Sequence, residues 1–197
     1  MTEAYKNPNS MPRLVLTLFA ITAVTSLLLG LVNYITKDII RKQQEEKEAA
    51  AMAFVLPPAI NEETGYSFTE LEYTGSDAIV EKVFKAEDLL SSQYASYYVV
   101  LVSPSGFGGE INMAVGIDRN KTVIGVSIIS MSETSGLGSN ASSPGFLNQY
   151  VGGSGEFAVS KDGGEIDALT GATVTSRAVT AGVNSALKAV SILDKEG

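Results

Sequence analysis

Asp167-Ala168-Leu169-Thr170-Gly171-Ala172-Thr173-Val174-Thr175-Ser176 is the stretch on which the reading of this chain turns. It leads from a loop into a helix. Gly171 and Ala172 are small enough to let the backbone come close to a ligand. Thr175 or Ser176 is a natural helix N-cap. Beyond them Val179, Val183, Leu187, Val190 and Leu193 recur at helical spacing. That spacing predicts an amphipathic helix over Ser176–Leu193, packed on a sheet. Thr170, Thr173 and Thr175 thereby gather at the positive end of a helix dipole. Such an end suits a phosphate, which gains N–H donors and a favourable field. An ordinary capped helix start has the same features, so this stretch taken alone leaves both readings open.

Upstream, the pattern changes from helical to extended. Ile79–Lys85 alternates apolar and polar residues, and Tyr97–Val102 is a continuous run of β-formers. Glu110–Ile117 and Thr122–Ile129 flank Asp118-Arg119-Asn120-Lys121, which reads as a hairpin turn. A short helix is expected at Pro144–Tyr150. Between hairpin and helix lies Ser132-Glu133-Thr134-Ser135-Gly136-Leu137-Gly138. Gly136 and Gly138 let backbone N–H groups approach a flat ring, Leu137 offers an apolar face, and Glu133 and Thr134 carry polar atoms that suit hydroxyls or a ring edge. Read alone, this segment is better taken as a surface turn with a buried leucine.

The N-terminal part has a different character. Leu14 to Thr36 carries no charge and is bracketed by Arg13 and Lys37. At about 1.5 Å per residue it makes roughly 34 Å of helix, enough to span a bilayer core of about 30 Å with slight tilt. Tyr34 suits the membrane interface. Thr17, Thr22, Thr25, Ser26 and Asn33 lie in the run, and such groups often face other helices. A discarded signal peptide would have a shorter apolar run and a small-residue cleavage site. Lys37–Glu48 is rich in charge and helix formers and continues the helix into water. Ala49–Leu56 is apolar and docks on the globular domain, and Pro57-Pro58 ends the helix. Four segments result: a short tail over 1–13, a transmembrane helix over 14–36, a membrane-proximal helix and linker over 37–58, and a domain over 59–197. The fold class is α+β, with one N-terminal membrane helix, a mixed or antiparallel sheet and a packed C-terminal helix. Lys37, Arg41, Lys42 and Lys47 outnumber Lys6 and Arg13, and counting positives alone places the large domain inside, but a short tail with an early anchor is equally common with the domain outside, so both orientations stay open.

Composition narrows the chemistry. The net charge is −8 with no basic stripe, which sets nucleic acid aside. There is no cysteine, so disulfides, thiol chemistry and iron–sulfur ligation are excluded. There is no histidine, which removes the usual general base and the commonest metal and haem ligand. Redox work by this chain requires an organic cofactor.

Asp-x-x-Thr-Gly-Ala-Thr-x-Thr resembles the flavinylation motif of the FMN-binding domain family. In that family a flavin transferase splits FAD and leaves FMN joined by its phosphate to the threonine of Gly-Ala-Thr. By position that threonine is Thr173; Asp167, Thr170, Gly171, Ala172 and Thr175 fall on the rest of the motif. A second block supports the match. Gly106-Phe107-Gly108-Gly109-Glu110-Ile111 precedes the hairpin, and the Glu133–Gly138 loop is similar to a family Glu-Thr-Pro-Gly-Leu-Gly loop. Ser135 stands where proline is usual, and the histidine often found before the glutamate is missing. The resemblance covers roughly Leu14 to Leu193. It is nearest to the G subunits of Rnf ion-translocating electron transport complexes, with the C subunit of sodium-translocating NADH:quinone reductase as the near relative.

The resemblance implies a covalent FMN on Thr173, bound also through Glu133, Thr134, Gly136, Leu137 and Gly138. It implies an electron relay between ferredoxin and NAD, coupled to Na⁺ or H⁺ movement and not catalytically complete alone. Implied partners are the other membrane, iron–sulfur and flavin subunits, membrane lipid, and a flavin transferase for maturation. The implied place is the cytoplasmic membrane, single-pass, with the FMN domain on the outer face. A flavin-dependent reductase module and a structural membrane subunit with a degenerate FMN site are the alternatives.

Overall fold

The computed structural model describes residues 11–58, 65–88 and 96–196. Most of the expected N-terminal tail, including Lys6, and the start expected for the globular domain at Ala59 lie outside these residues. The chain divides into two compact units, residues 1–46 and 47–197.

Helix α1 spans Met11–Phe54 and contains the one segment, among the described residues, that is long and apolar enough to cross a membrane. Three of the polar residues in the apolar run, Thr17, Thr22 and Thr25, bond within their own helix, as does Thr36 beside them. Thr17, Thr22 and Thr25 each donate to a carbonyl four residues back at 3.0 Å, and Thr36 does so at 2.9 Å. Each hydroxyl hydrogen is thereby satisfied inside the helix, as a hydrocarbon surrounding favours.

Among the described residues the second unit is built on five strands: β1 Tyr66–Leu71, β2 Val80–Asp88, β3 Ser96–Val102, β4 Ile111–Ile117 and β5 Val123–Met131. They lie side by side in chain order, each antiparallel to the next. The expected mixed or antiparallel sheet is therefore wholly antiparallel. Among the described residues a single parallel bridge, Val159 to Ile166, lies outside the strands. A 3₁₀ turn over Gly138–Ser142, helix α2 Pro144–Leu147, a 3₁₀ turn over Ser160–Asp162 and helix α3 Thr173–Glu196 complete the unit.

The continuous apolar character of β3 and β4 has a direct cause: the sheet is covered on both faces. Val100 and Val102 with Met113, Val115 and Ile117 face a core shared with Val179, Val183, Ala186 and Val190 of α3. Val99, Leu101 and Ala114 face the other way, against Ala51, Met52, Val55 and Leu56 from the end of α1. Gly116 of β4 pairs with Gly125 of β5, and the Val55 backbone rests on that pair. A Cβ on Gly125 would lie 2.6 Å from the Val55 carbonyl oxygen. The bare glycines make a flat seat for the chain that leaves α1.

Two expectations need correction. Helix α3 begins at Thr173, not Ser176, so Thr175 and Ser176 are buried in its first turn and neither is its N-cap. Ser176 Oγ accepts from the Leu169 N–H at 2.9 Å and donates to the Ala172 carbonyl at 3.0 Å, so it fastens the preceding loop. The cause is Gly171. With φ of +75° it closes a tight turn, Ala172 N–H to Leu169 C=O at 3.0 Å, that starts the helix earlier. The second correction is an omission: strand β1 pairs with β2 from Tyr66–Asp88 to Leu71–Val83 although no strand was expected there.

Candidate functional site

The start of α3 and the loop after β5 come together around a cavity of about 380 Å³. Its walls are Phe107, Glu133, Thr134, Leu137, Gly138, Gly171, Ala172, Thr173, Val174 and Thr175. The two segments singled out by sequence, the Glu133–Gly138 loop and the Gly171–Thr175 stretch, thus share one cleft. Gly136, Asp167 and Thr170 do not line it. Gly136 and Thr170 sit in the turns that shape its walls. Asp167 is exposed, its backbone clamped by Gln149, which accepts from the Asp167 N–H at 2.7 Å and donates to its carbonyl at 3.3 Å.

The two walls use one device. Leu137 N–H donates to Thr134 C=O at 3.2 Å, closing a turn whose third residue, Gly136, has φ of +76°. Ala172 and Leu169 close the facing turn around Gly171. Glycine with positive φ at that position is the type II signature. Ser135 occupies the second position of its turn, where proline is favoured but not needed. The turns also meet: a Cβ on Gly171 would lie 3.3 Å from Leu137 Cδ2.

Glu133 braces the cleft from behind. Its Oε1 accepts from the Phe107 N–H at 2.8 Å and the Gly108 N–H at 3.2 Å. Its Oε2 accepts from Thr175 Oγ1 at 2.9 Å. One carboxylate therefore joins the glycine-rich turn before β4 to the first turn of α3. Gly138 leaves room for this, since a Cβ there would lie 2.5 Å from Glu133 Oε2 and 2.8 Å from Thr175 Oγ1. Both oxygens of Glu133 are engaged by the protein itself, which makes it a brace for the walls.

Thr173 lines the cleft, half-buried, as the first residue of α3. The opening N–H groups of a helix have no intrahelical partner and carry the positive end of its dipole. Lys161 Nζ donates to Thr173 Oγ1 at 2.9 Å. Lys161 is held in its 3₁₀ turn beside Asp162, whose carboxylate forms a two-pronged pair with Arg177, Nε to Oδ2 at 2.7 Å and Nη2 to Oδ1 at 2.6 Å. The guanidinium bonding to Asp162 holds its carboxyl below the usual range. Three apolar side chains around the cleft stay open to solvent: Phe107 at 73%, Val174 at 49% and Leu137 at 45%. Unspent apolar surface at a formed cavity marks a place where a ligand belongs.

The residues present fit an FMN. A cavity of this size, apolar at its walls and flanked by a cation and a helix start, suits a flat ring with a phosphate at one end. Gly138 and Gly171 let the walls close behind that cavity, on Glu133 and Thr175 and on Leu137 respectively. Phe107, Val174 and Lys161 were not among the residues assigned to the site from sequence. Phe107 lies in the glycine-rich block already noted, but nothing there marks it as a wall. Lys161 has no sequence signal, since only the fold brings it to Thr173.

Known proteins give concordant results. Residues 106–188 match the model of the FMN-binding domain, and residues 1–55 match that of the RnfG N-terminal region. The chain is 34% identical to the G subunit of the Na⁺-translocating ferredoxin:NAD⁺ oxidoreductase complex from Acetobacterium woodii, over 93% of each chain. It is 33% identical to the G subunit of the ion-translocating oxidoreductase complex from Aliivibrio fischeri, covering 88% of this chain and 86% of that one. The corresponding G subunit from Methanosarcina acetivorans is 32% identical, over 91% of this chain and 94% of its own. Among solved structures, the C subunit of the Na⁺-translocating NADH-quinone reductase from Parabacteroides distasonis shares the fold, with a TM-score of 0.55 and 19% identity over 75% of this chain and 92% of that one. With both family models matched in order along a chain whose relatives align nearly end to end, the protein belongs to the G-subunit family of the Rnf ion-translocating oxidoreductase complexes.

Proposed function

We propose that this chain is the single-pass, membrane-anchored electron-transfer subunit of an ion-translocating ferredoxin:NAD oxidoreductase complex, and that it carries FMN joined by a phosphoester to Thr173. The observation that carries the reading is the placement of Thr173. It lines an apolar cleft from the first residue of a helix, and its hydroxyl lies beside a lysine ammonium 2.9 Å away. Membership of the G-subunit family supports the complex as its setting.

Bound in this cleft, FMN supplies reversible electron carriage. The chain's own residues do the rest. Thr173 holds the phosphate at the helix start. Leu137, Val174 and Phe107 give the ring apolar contact and shield it from water. Glu133 keeps these walls in register. A covalent tether suits a relay because the cofactor is retained through every redox state, whatever its affinity in each. With no cysteine or histidine in the chain, donor and acceptor centres belong to partner proteins of the complex, so this chain completes no catalytic cycle alone. The flavin domain lies on the outer face of the cytoplasmic membrane, an orientation that follows the family resemblance and runs against the count of flanking positive charges.

Intact mass of the full-length protein, co-expressed with a flavin transferase, tests the attachment. The expected result is a gain of one FMN less water, localised by fragmentation to the peptide containing Thr173 and absent from Thr173→Ala. A Thr173→Ala protein that still runs as a fluorescent band on a denaturing gel would put the attachment elsewhere. No added mass with active transferase would sink the covalent reading.

A further inference from the structure

We infer that Lys161 promotes the attachment of FMN to Thr173, acting as a local cation on the reacting oxygen; this rests on Thr173 being the attachment site. Three observations converge. Lys161 Nζ donates to Thr173 Oγ1 at 2.9 Å while its side chain is otherwise exposed, so the bond holds no core together. The turn carrying it is clasped by Asp162 and Arg177 on α3, which spans from the Ser160–Asp162 turn to the helix that bears Thr173. The charge of Arg177 is engaged by Asp162, which leaves Lys161 to serve the hydroxyl.

The chemistry of the transfer calls for such a group. The donor is a flavin adenine dinucleotide, presented by the transferase. Thr173 Oγ1 forms a bond to the phosphorus on the riboflavin side, and the phosphoanhydride bond to the adenylate breaks. The electron pair of that bond leaves with AMP, and the Thr173 hydroxyl proton passes to a base of the transferase. Nothing is oxidised or reduced. A threonine hydroxyl is a weak nucleophile, and negative charge builds on Oγ1 as its proton leaves. An ammonium already donating to that oxygen stabilises the charge without reorganising. The product is a phosphodiester with one negative charge on a chain of net charge −8, and Lys161 is its nearest counterion on the Thr173 oxygen. Asp162 and Arg177 act through Lys161 and are positioning residues.

The test is the initial rate of FMN incorporation into full-length protein in detergent, with purified transferase and flavin adenine dinucleotide, read by intact mass. Lys161→Met keeps the stem and removes the charge. It should slow incorporation by about tenfold or more, the scale of one lost charge-assisted hydrogen bond. Lys161→Arg keeps the charge and should stay within about threefold of wild type, a drop of less than half the tenfold unit. Melting temperatures of both should match wild type, since residue 161 is exposed. Incorporation at the wild-type rate in Lys161→Met overturns the inference, and so does an equal loss in both variants, because charge is then not what the position supplies. Thr173→Ala run alongside separates the two ideas: mass gain in that variant defeats the attachment site itself, whatever the lysine variants do.

Discussion

Gly171 and Gly136 do the same work on opposite walls of one cleft, and a side chain at either works against the backbone it sits in. Gly171 is the more exacting position, because its φ of +75° is joined by a close neighbour, Leu137 Cδ2 at 3.3 Å from where a Cβ would stand. Gly171→Val puts a β-branched residue in the left-handed region, at a cost of about 1–2 kcal/mol or more. It should lower the melting temperature and also reduce the fraction of protein carrying FMN mass, because the turn it disturbs begins the helix on which Thr173 stands. Normal loading in this variant would separate backbone geometry from modification. Glu133 fails differently. A glutamine keeps the Phe107 and Gly108 amides on its carbonyl oxygen and turns its NH₂ to Thr175 Oγ1, which then accepts where it had donated, so the buried Thr175 hydroxyl loses its acceptor. Glu133→Gln should cost about 1–3 kcal/mol for the group left without an acceptor. Hydrogen exchange should show the first turn of α3 losing protection while the amides of Phe107 and Gly108 and the strands keep theirs.

At the scale of elements, the seat beneath the end of α1 is the feature most open to test. Gly116 and Gly125 face each other across β4 and β5, and the Val55 backbone lies against both. Gly125→Val cannot be absorbed by a rotamer change, since the atoms it meets are backbone: Val55 O at 2.6 Å and Val55 Cα at 2.8 Å. Overpacking of this kind costs about 1–3 kcal/mol. The expected outcome is local: faster amide exchange over Ala51–Leu56, with α3 unchanged. This contact also explains what could be read from sequence and what could not. Strands β2 to β5 and helix α3 were legible because burial writes a pattern, alternation in β2 and a filled apolar run where β3 and β4 are covered twice. The apolar stretch Ala49–Leu56 carried the same signal of a surface to be covered. Strand β1 was not legible because it is an edge strand with exposed central residues, and nothing in its pattern distinguishes it from a loop. The start of α3 was misplaced because serine and threonine at a helix entrance imitate caps; here Thr175 and Ser176 hydroxyls bond to Glu133 and to the Ala172 carbonyl. The site divides along the same line. Its two loops were visible as motifs, whereas Lys161 meets Thr173 only through the fold, and Phe107 becomes a wall only once Glu133 anchors its turn.

For the molecule as a whole, the sheet and its helices bury Tyr150 completely, and this gives the fold a defined alkaline limit. Its ring meets Phe146 and Phe157 edge-on, with centroids at 5.8 and 5.4 Å, and its hydroxyl shares a hydrogen bond with Thr180 Oγ1 at 2.9 Å. Burial pushes the phenol up to about 12 from 10.0, only partly opposed by the Thr180 bond. The folded chain therefore holds this proton more tightly than the unfolded chain does. The resulting stability is fully present below pH 10 and is lost as pH rises through 12, on the order of 2–3 kcal/mol across that window. Tyr73 and Tyr98 are also raised, each first by burial and then by a nearby carboxylate, Asp77 and Asp194 respectively, so they steepen the same fall. Tyr150→Phe isolates the buried phenol. Near pH 8 it should lose about 1 kcal/mol with the Thr180 bond. Between pH 10 and 12 its unfolding free energy, from denaturant titration followed by near-ultraviolet circular dichroism, should fall less steeply than that of wild type. Parallel curves for the two proteins across that range would mean that Tyr150 reaches water before it ionises, and that this core opens locally well before the sheet unfolds.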